Sequence, residues 1–138
     1  MEFTQSNKFD ELSADELKRL SELCRALKTR ILAMIDVAVI IETNDDPHIA
    51  VIAFENINGE MLATRLSRRG ISVMTASPCS DPQNQLLSQL KSLDTPFSQA
   101  MGAIRLSLNA DITEKDIDVL VNAISEEVAI LKKIGGIV

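Results

Sequence analysis

Apolar residues recur at alternating steps of three and four through Leu17, Leu20, Cys24, Leu27, Ile31 and Met34. That spacing predicts one helical face about five turns long. Ser13 followed three residues on by Glu16 is a capping-box signal that opens the helix. Lys18, Arg19, Glu22, Arg25 and Lys28 lie off the stripe, and the helix should end near Asp36. Residues 37–42 and 48–55 are apolar, β-branched runs separated by Thr43-Asn44-Asp45-Asp46-Pro47, a turn sequence. They predict an antiparallel hairpin. Consecutive apolar positions imply that both faces of these strands are covered.

Asn58-Gly59-Glu60 opens a second helix with Met61, Leu62 and Leu66 facing inward, and Gly70 closes it. Residues 71–76 read as a third strand and Ser77-Pro78-Cys79-Ser80-Asp81-Pro82 as a loop. Residues 83–93 read as a modest helix, diluted by Gln and Ser and broken at Asp94-Thr95-Pro96. Residues 103–109 alternate cleanly, with Ile104, Leu106 and Leu108 on one face and Arg105, Ser107 and Asn109 on the other. Thr113 with Asp116 caps a last helix whose stripe is Ile117, Leu120, Val121, Ile124, Val128 and Leu131, closed by Gly135-Gly136. Residues 1–12, with Phe3 and Phe9, read as a flexible tail and 13–138 as a single domain. The expected fold is α+β, ordered α-β-β-α-β-(α)-β-α. A small, mainly antiparallel sheet of about four strands carries the helices, the first and last packing together on one face.

Composition narrows the function. The 138 residues are 46% hydrophobic and 25% charged, an ordinary globular balance. There are 14 basic against 20 acidic side chains, net −6, so the basic excess of a nucleic-acid binder is missing. Aromatics are 3%, all Phe, which leaves no base-stacking platform. No apolar run nears the ~18 residues that span a bilayer, and the start MEFTQSNKFDEL has no signal-peptide core. The expectation is a cytoplasmic protein with free thiols. One His and two distant Cys cannot form a protein-only zinc site.

Cys79 is the first candidate for chemistry. It lies in a polar loop beyond any core stripe, where a thiol acts as a nucleophile if its pKa is lowered. No Lys, Arg or His adjoins it, and Asp81 pushes the other way, so an idle surface thiol is the competing reading. Cys24, on the first helix stripe, is a small core residue. Arg105 interrupts an apolar strand. It is either a solvent-facing charge or a rigidly held bidentate clamp for a carboxylate. His48, after Pro47, belongs to the hairpin turn. Arg65, Arg68 and Arg69 form a solvated helix face or a docking patch for an acidic partner.

Together these pieces resemble the small C-terminal domain of cysteine desulfurases, pyridoxal-phosphate enzymes of the class V aminotransferase group. The resemblance rests on Asn58-Gly59-Glu60-Met61-Leu62, then Arg69-Gly70-Ile71-Ser72-Val73, then Thr75-Ala76-Ser77-Pro78-Cys79-Ser80. It continues in Met101-Gly102-Ala103-Ile104-Arg105-Leu106-Ser107-Leu108 and in Thr113-Glu114-Lys115-Asp116-Ile117-Asp118, and covers residues 13–134. It implies that Cys79 is the catalytic sulfur acceptor and Arg105 the holder of the substrate carboxylate. Pro78 stands where the family has Ala, Ala76 where it has Gly, and Asp81-Pro82 where it has small residues. These changes stiffen or re-aim the loop.

The family's Schiff-base Lys follows a His, in a domain that comes before this region. Lys8, Lys18, Lys28, Lys91, Lys115, Lys132 and Lys133 have no such context. The resemblance therefore implies no pyridoxal phosphate bound by this chain alone, the cofactor coming only through a partner large domain. Three functions compete: a desulfurase piece working with a separate pyridoxal-binding chain, a persulfide carrier using Cys79, and a non-catalytic interaction module. A domain without catalysis of its own is the preferred expectation. A homodimer is expected through Leu20, Leu27 and Ile31 of the first helix and through Phe3 and Phe9. A sulfur acceptor protein is a further possible partner.

Overall fold

The computed structural model describes residues 13–76 and 85–134. The tail with Phe3 and Phe9, the loop carrying Cys79 and the Gly135-Gly136 stop lie outside these residues.

The first helix, α1 (Ala14–Met34), begins with the capping box read from the sequence. The Glu16 N–H donates to Ser13 Oγ at 3.1 Å, and the Ser13 N–H donates to Glu16 Oε1 at 3.3 Å. The helix stops just short of the expected Asp36, because Ile35 takes extended backbone and turns its side chain into the core. Its buried face is Leu20, Leu23, Cys24, Leu27 and Ile31. Leu17 is half-buried and Met34 exposed, so the stripe overruns the sheet at both ends.

Strands β1 (Ala38–Ile41) and β2 (Ile49–Phe54) form the expected antiparallel hairpin, with Ala38 opposite Phe54 and Ile41 opposite Val51. Only β2 is covered on both faces, being buried at all six positions. Strand β1 is half-buried throughout, because it is an edge. Helix α2 (Gly59–Ser67) starts at Asn58, whose Oδ1 accepts from the N–H groups of Glu60 and Met61. Leu62 and Leu66 face the core, but Met61 is exposed. Met61, about 100° round the helix from Leu62, lies toward the outward side of α2. Gly70, in the left-handed region at φ 80°, lets the Ile71 N–H reach back to the Leu66 carbonyl at 3.0 Å. That cap uses backbone the third strand was expected to use, and β3 shrinks to Met74–Thr75.

Helices α3 (Gln85–Ser92) and α4 (Phe97–Ala100) precede β4 (Ala103–Ser107), and α5 (Glu114–Lys133) follows with its own capping box at Thr113 and Asp116. Strand β4 inserts between β2 and β3, giving the antiparallel order β1-β2-β4-β3. Sequence position does not announce this insertion. On one face α1, α2 and α5 bury Ala50, Ile52, Phe54, Ile104 and Leu106, and α1 packs along α5 as expected. On the other face α3 covers Val51, Ala53 and Ala103 through Leu86 and Leu90.

This packing corrects one expectation. Leu20, Leu27 and Ile31 are fully buried within the chain, because α5 and the sheet consume the α1 stripe. They cannot form a dimer contact. No described helix is long and apolar enough to cross a membrane.

Candidate functional site

Arg105 lies mid-strand on β4, with Val51 of β2 opposite on one side and Met74 of β3 on the other. Strand alternation sends Ile104 and Leu106 to the α1/α5 core and Arg105 to the α3 side. There its side chain is only 12% exposed, so the solvent-facing reading is set aside. A guanidinium held over an apolar sheet face requires an anion nearby, since an unpaired buried charge is costly. Asp45, from the β1–β2 connection, supplies one. Arg105 Nη2 lies 3.3 Å from Asp45 Oδ1.

The other Asp45 oxygen, Oδ2, accepts from Thr43 Oγ1 at 2.8 Å and from Gln89 Nε2 of α3 at 3.1 Å. Burial pushes the Asp45 carboxyl up. The bonds from Thr43, Gln89 and Arg105, with the guanidinium charge, outweigh it and hold the group below its usual range. Asp45 is therefore an anion at neutral pH.

His48 is more than a turn residue. It is buried at 2% exposure, its carbonyl accepts from the Leu108 N–H, and its ring feels Asp46, Arg105 and Asp45. Burial pushes the imidazole below its ordinary value. The Arg105 charge acts the same way, against the two aspartates. Ser107, fully buried, completes the polar residues on the Arg105 face of β4. Sequence reasoning missed Asp45, Gln89 and the burial of His48. The turn motif was visible, but not that the turn folds back toward β4.

The arginines at the C-terminal end of α2 are also engaged. Glu127 of α5 is buried, and Arg65 Nε donates to its Oε1. Arg69 Nε donates to Glu127 Oε2 at 2.7 Å and Arg69 Nη1 to Glu126 Oε1 at 2.8 Å. Only Arg68 of the three keeps to the surface role. Two of the three arginines thus tie α2 to α5 while staying about one-third exposed.

A groove of about 350 Å³ between α1 and α5 is lined by Arg19, Leu23, Arg30 and Glu114. Its arginines are engaged, Arg19 with the Ala110 and Ile112 carbonyls and Arg30 with Asp118. Among the described residues no group of three His, Cys, Asp or Glu side chains is placed to hold a metal.

Cys79 lies outside the described residues. Cys24 is buried at 1% exposure. Burial pushes its thiol up, with Lys28 acting weakly the other way. A thiol reagent should therefore modify Cys24 only as the protein unfolds. Mass mapping of alkylated peptides with and without urea checks this, and rapid native labelling of Cys24 would contradict the packing of α1.

The class-V aminotransferase family model matches residues 3–120. A cysteine desulfurase from Azotobacter chroococcum mcd 1 is 31% identical over 91% of this chain and 32% of its own length. The cysteine desulfurase NifS of Azotobacter vinelandii is 31% identical over 78% of this chain and 27% of its own. A solved NifS-like protein superposes with a TM-score of 0.70 at 27% identity, over 86% of this chain and 29% of that one. The chain thus spans about a third or less of the relatives it matches.

Proposed function

Since the chain belongs to the class-V aminotransferase family, we propose that it works as the small domain of a cysteine desulfurase-like enzyme and has no catalysis of its own. The carrying observation is coverage. The match runs through 91% of this chain yet only 32% of the desulfurase it resembles. In this reading Arg105 holds the carboxylate of an amino-acid substrate and Cys79 accepts its sulfur. Burial of Arg105 on a central strand supports the first role, since a rigid guanidinium suits planar, bidentate recognition. The Ser77-Pro78-Cys79-Ser80 motif supports the second.

Pyridoxal phosphate comes from a domain outside residues 1–138. The described residues do not fit that cofactor. Lys18 and Lys28 of α1 and Lys115, Lys132 and Lys133 of α5 ride on the helices that cover the opposite face of the sheet from Arg105. Lys91 of α3 is exposed. A Schiff-base enzyme needs its lysine beside the substrate clamp.

The test mixes the chain with pyridoxal phosphate, L-cysteine and a thiol reductant that frees persulfide sulfur as sulfide, with and without the pyridoxal-binding domain of a related desulfurase. Sulfide release is expected only with that domain, and only while Arg105 and Cys79 are intact. Sulfide release by the chain alone, or a lysine-dependent cofactor band surviving gel filtration, would overturn the proposal. Because Cys24 is buried, persulfide mass gained by the folded chain reports Cys79. Such mass gained from a donor without any pyridoxal domain would replace this reading with that of a sulfur carrier.

A further inference from the structure

We infer that Asp45 is an internal occupant of the Arg105 clamp, so that an incoming small-molecule carboxylate binds by displacing it. This rests on reading Arg105 as a carboxylate site, and it adds the residue that tunes that site. A carboxylate from the chain itself already sits where a ligand carboxylate is needed, and the manner of its contact suits displacement.

The Asp45–Arg105 contact is end-on, one nitrogen to one oxygen at 3.3 Å. Charge-assisted N–H···O bonds run to about 2.7–2.9 Å, and Arg–carboxylate pairs at their best are two-pronged. Asp45 is held more closely from the other side, by Thr43 at 2.8 Å and Gln89 at 3.1 Å, both on Oδ2. The Asp45 N–H also donates to Thr43 Oγ1 at 3.3 Å. If Oδ1 gives up Arg105, these bonds remain, and the aspartate is not stranded as a bare buried charge. A free carboxylate, unconstrained by a backbone, can approach Arg105 Nη2 more closely than Asp45 Oδ1 does at 3.3 Å. Each group therefore stays satisfied in either arrangement, which is what a two-state contact requires. The buried His48 ring lies within the field of Asp45 and Arg105, with Asp46 of the same connection acting on that ring.

Competition lowers the apparent affinity of the clamp by the fraction of molecules in which Asp45 occupies it. Arginine side-chain NMR on the full chain reads this directly, following the Arg105 Nε–H resonance during titration with L-alanine. L-Alaninamide, which lacks the carboxylate, serves as control. Asp45→Asn keeps the shape and removes the competing anion, and should tighten L-alanine binding about tenfold. Asp46→Asn removes the same charge one residue on, and should change affinity less than about twofold. Gln89→Ala takes away a bond that the displaced aspartate relies on and should weaken binding; this arm decides the matter if Asp45→Asn fails to fold. Equal affinity in the wild type and Asp45→Asn, or equal tightening by Asp46→Asn, overturns the displacement while leaving the clamp. No carboxylate-dependent shift in any variant overturns the clamp and this inference together.

Discussion

Gly102→Ala should destabilise the protein by roughly 3 kcal/mol or more, a loss at the upper end for single substitutions. A Cβ on Gly102 would lie 2.1 Å from the Phe54 carbonyl oxygen and 2.7 Å from that of Ile57. Both neighbours are backbone, so no side chain can rotate out of the way. The Gly102 carbonyl accepts the Phe54 N–H at 3.0 Å, and the next residue enters β4 in register with Ala53. Relief of the clash must separate β2 from the start of β4, breaking pairs that keep Arg105 opposite Val51. Backbone conformation is not the obstacle here; only the space is. Gly59→Ala is the milder comparison, its nearest backbone oxygen being Met101 O at 2.9 Å. Urea unfolding should give a large fall in midpoint at unchanged slope for Gly102→Ala and a smaller one for Gly59→Ala. Equal midpoints for Gly102→Ala and wild type would show that the β2–β4 junction is looser than described.

Glu127→Ala should cost about 2 kcal/mol, short of the 3–5 typical when one partner of a fully buried pair is removed. The carboxylate is 6% exposed, but Arg65 and Arg69 are about one-third exposed, and water will partly compensate them. Burial pushes the Glu127 carboxyl up. The bonds and charges of Arg65 and Arg69 outweigh it and hold the group below the usual carboxylate range. Because the folded value is depressed, the stabilisation is fully present above the unfolded value of about 4.3. It is lost as pH falls through the lower folded value. The difference in unfolding free energy between wild type and Glu127→Gln should therefore be flat from neutral pH down to about pH 5 and shrink below that. Asp36 and Asp45, also held low, titrate in both proteins and cancel in the difference. A difference that grew on acidification would contradict the assigned pairing.

Local signals carried much of the fold. The capping boxes at Ser13 and Thr113, the turn between β1 and β2 and the stripe on α5 all act within a few residues, and all appear as read. What escaped depends on partners far along the chain. The retreat of β3 to two residues follows from the Ile71–Leu66 bond, and the exposure of Met61 from the direction in which α2 meets the sheet. At the site, the residue itself was legible, since Arg105 breaks an apolar alternation. Its surroundings were not. Asp45 and Gln89 meet it only because β4 inserts beside β2 and α3 crosses that face. Glu127 carries no local signal either, since its partners Arg65 and Arg69 lie about sixty residues earlier in the chain.

The sheet order also constrains how the chain can fold as it is synthesised. Strand β2, Ile-Ala-Val-Ile-Ala-Phe, has no charge and ends buried at every position. One of its hydrogen-bonding edges is met at once by β1, but the other waits for β4, which begins only at Ala103. The stripe on α1 waits longer still, for α5. At ribosomal speeds of about 5–20 residues per second, that leaves an apolar, pairing-competent strand uncovered for seconds. Short uncharged segments of this kind are the ones that pair with other chains. The same insertion that fixes Arg105 at the centre of the sheet leaves the emerging polypeptide with an open strand edge until β4 arrives.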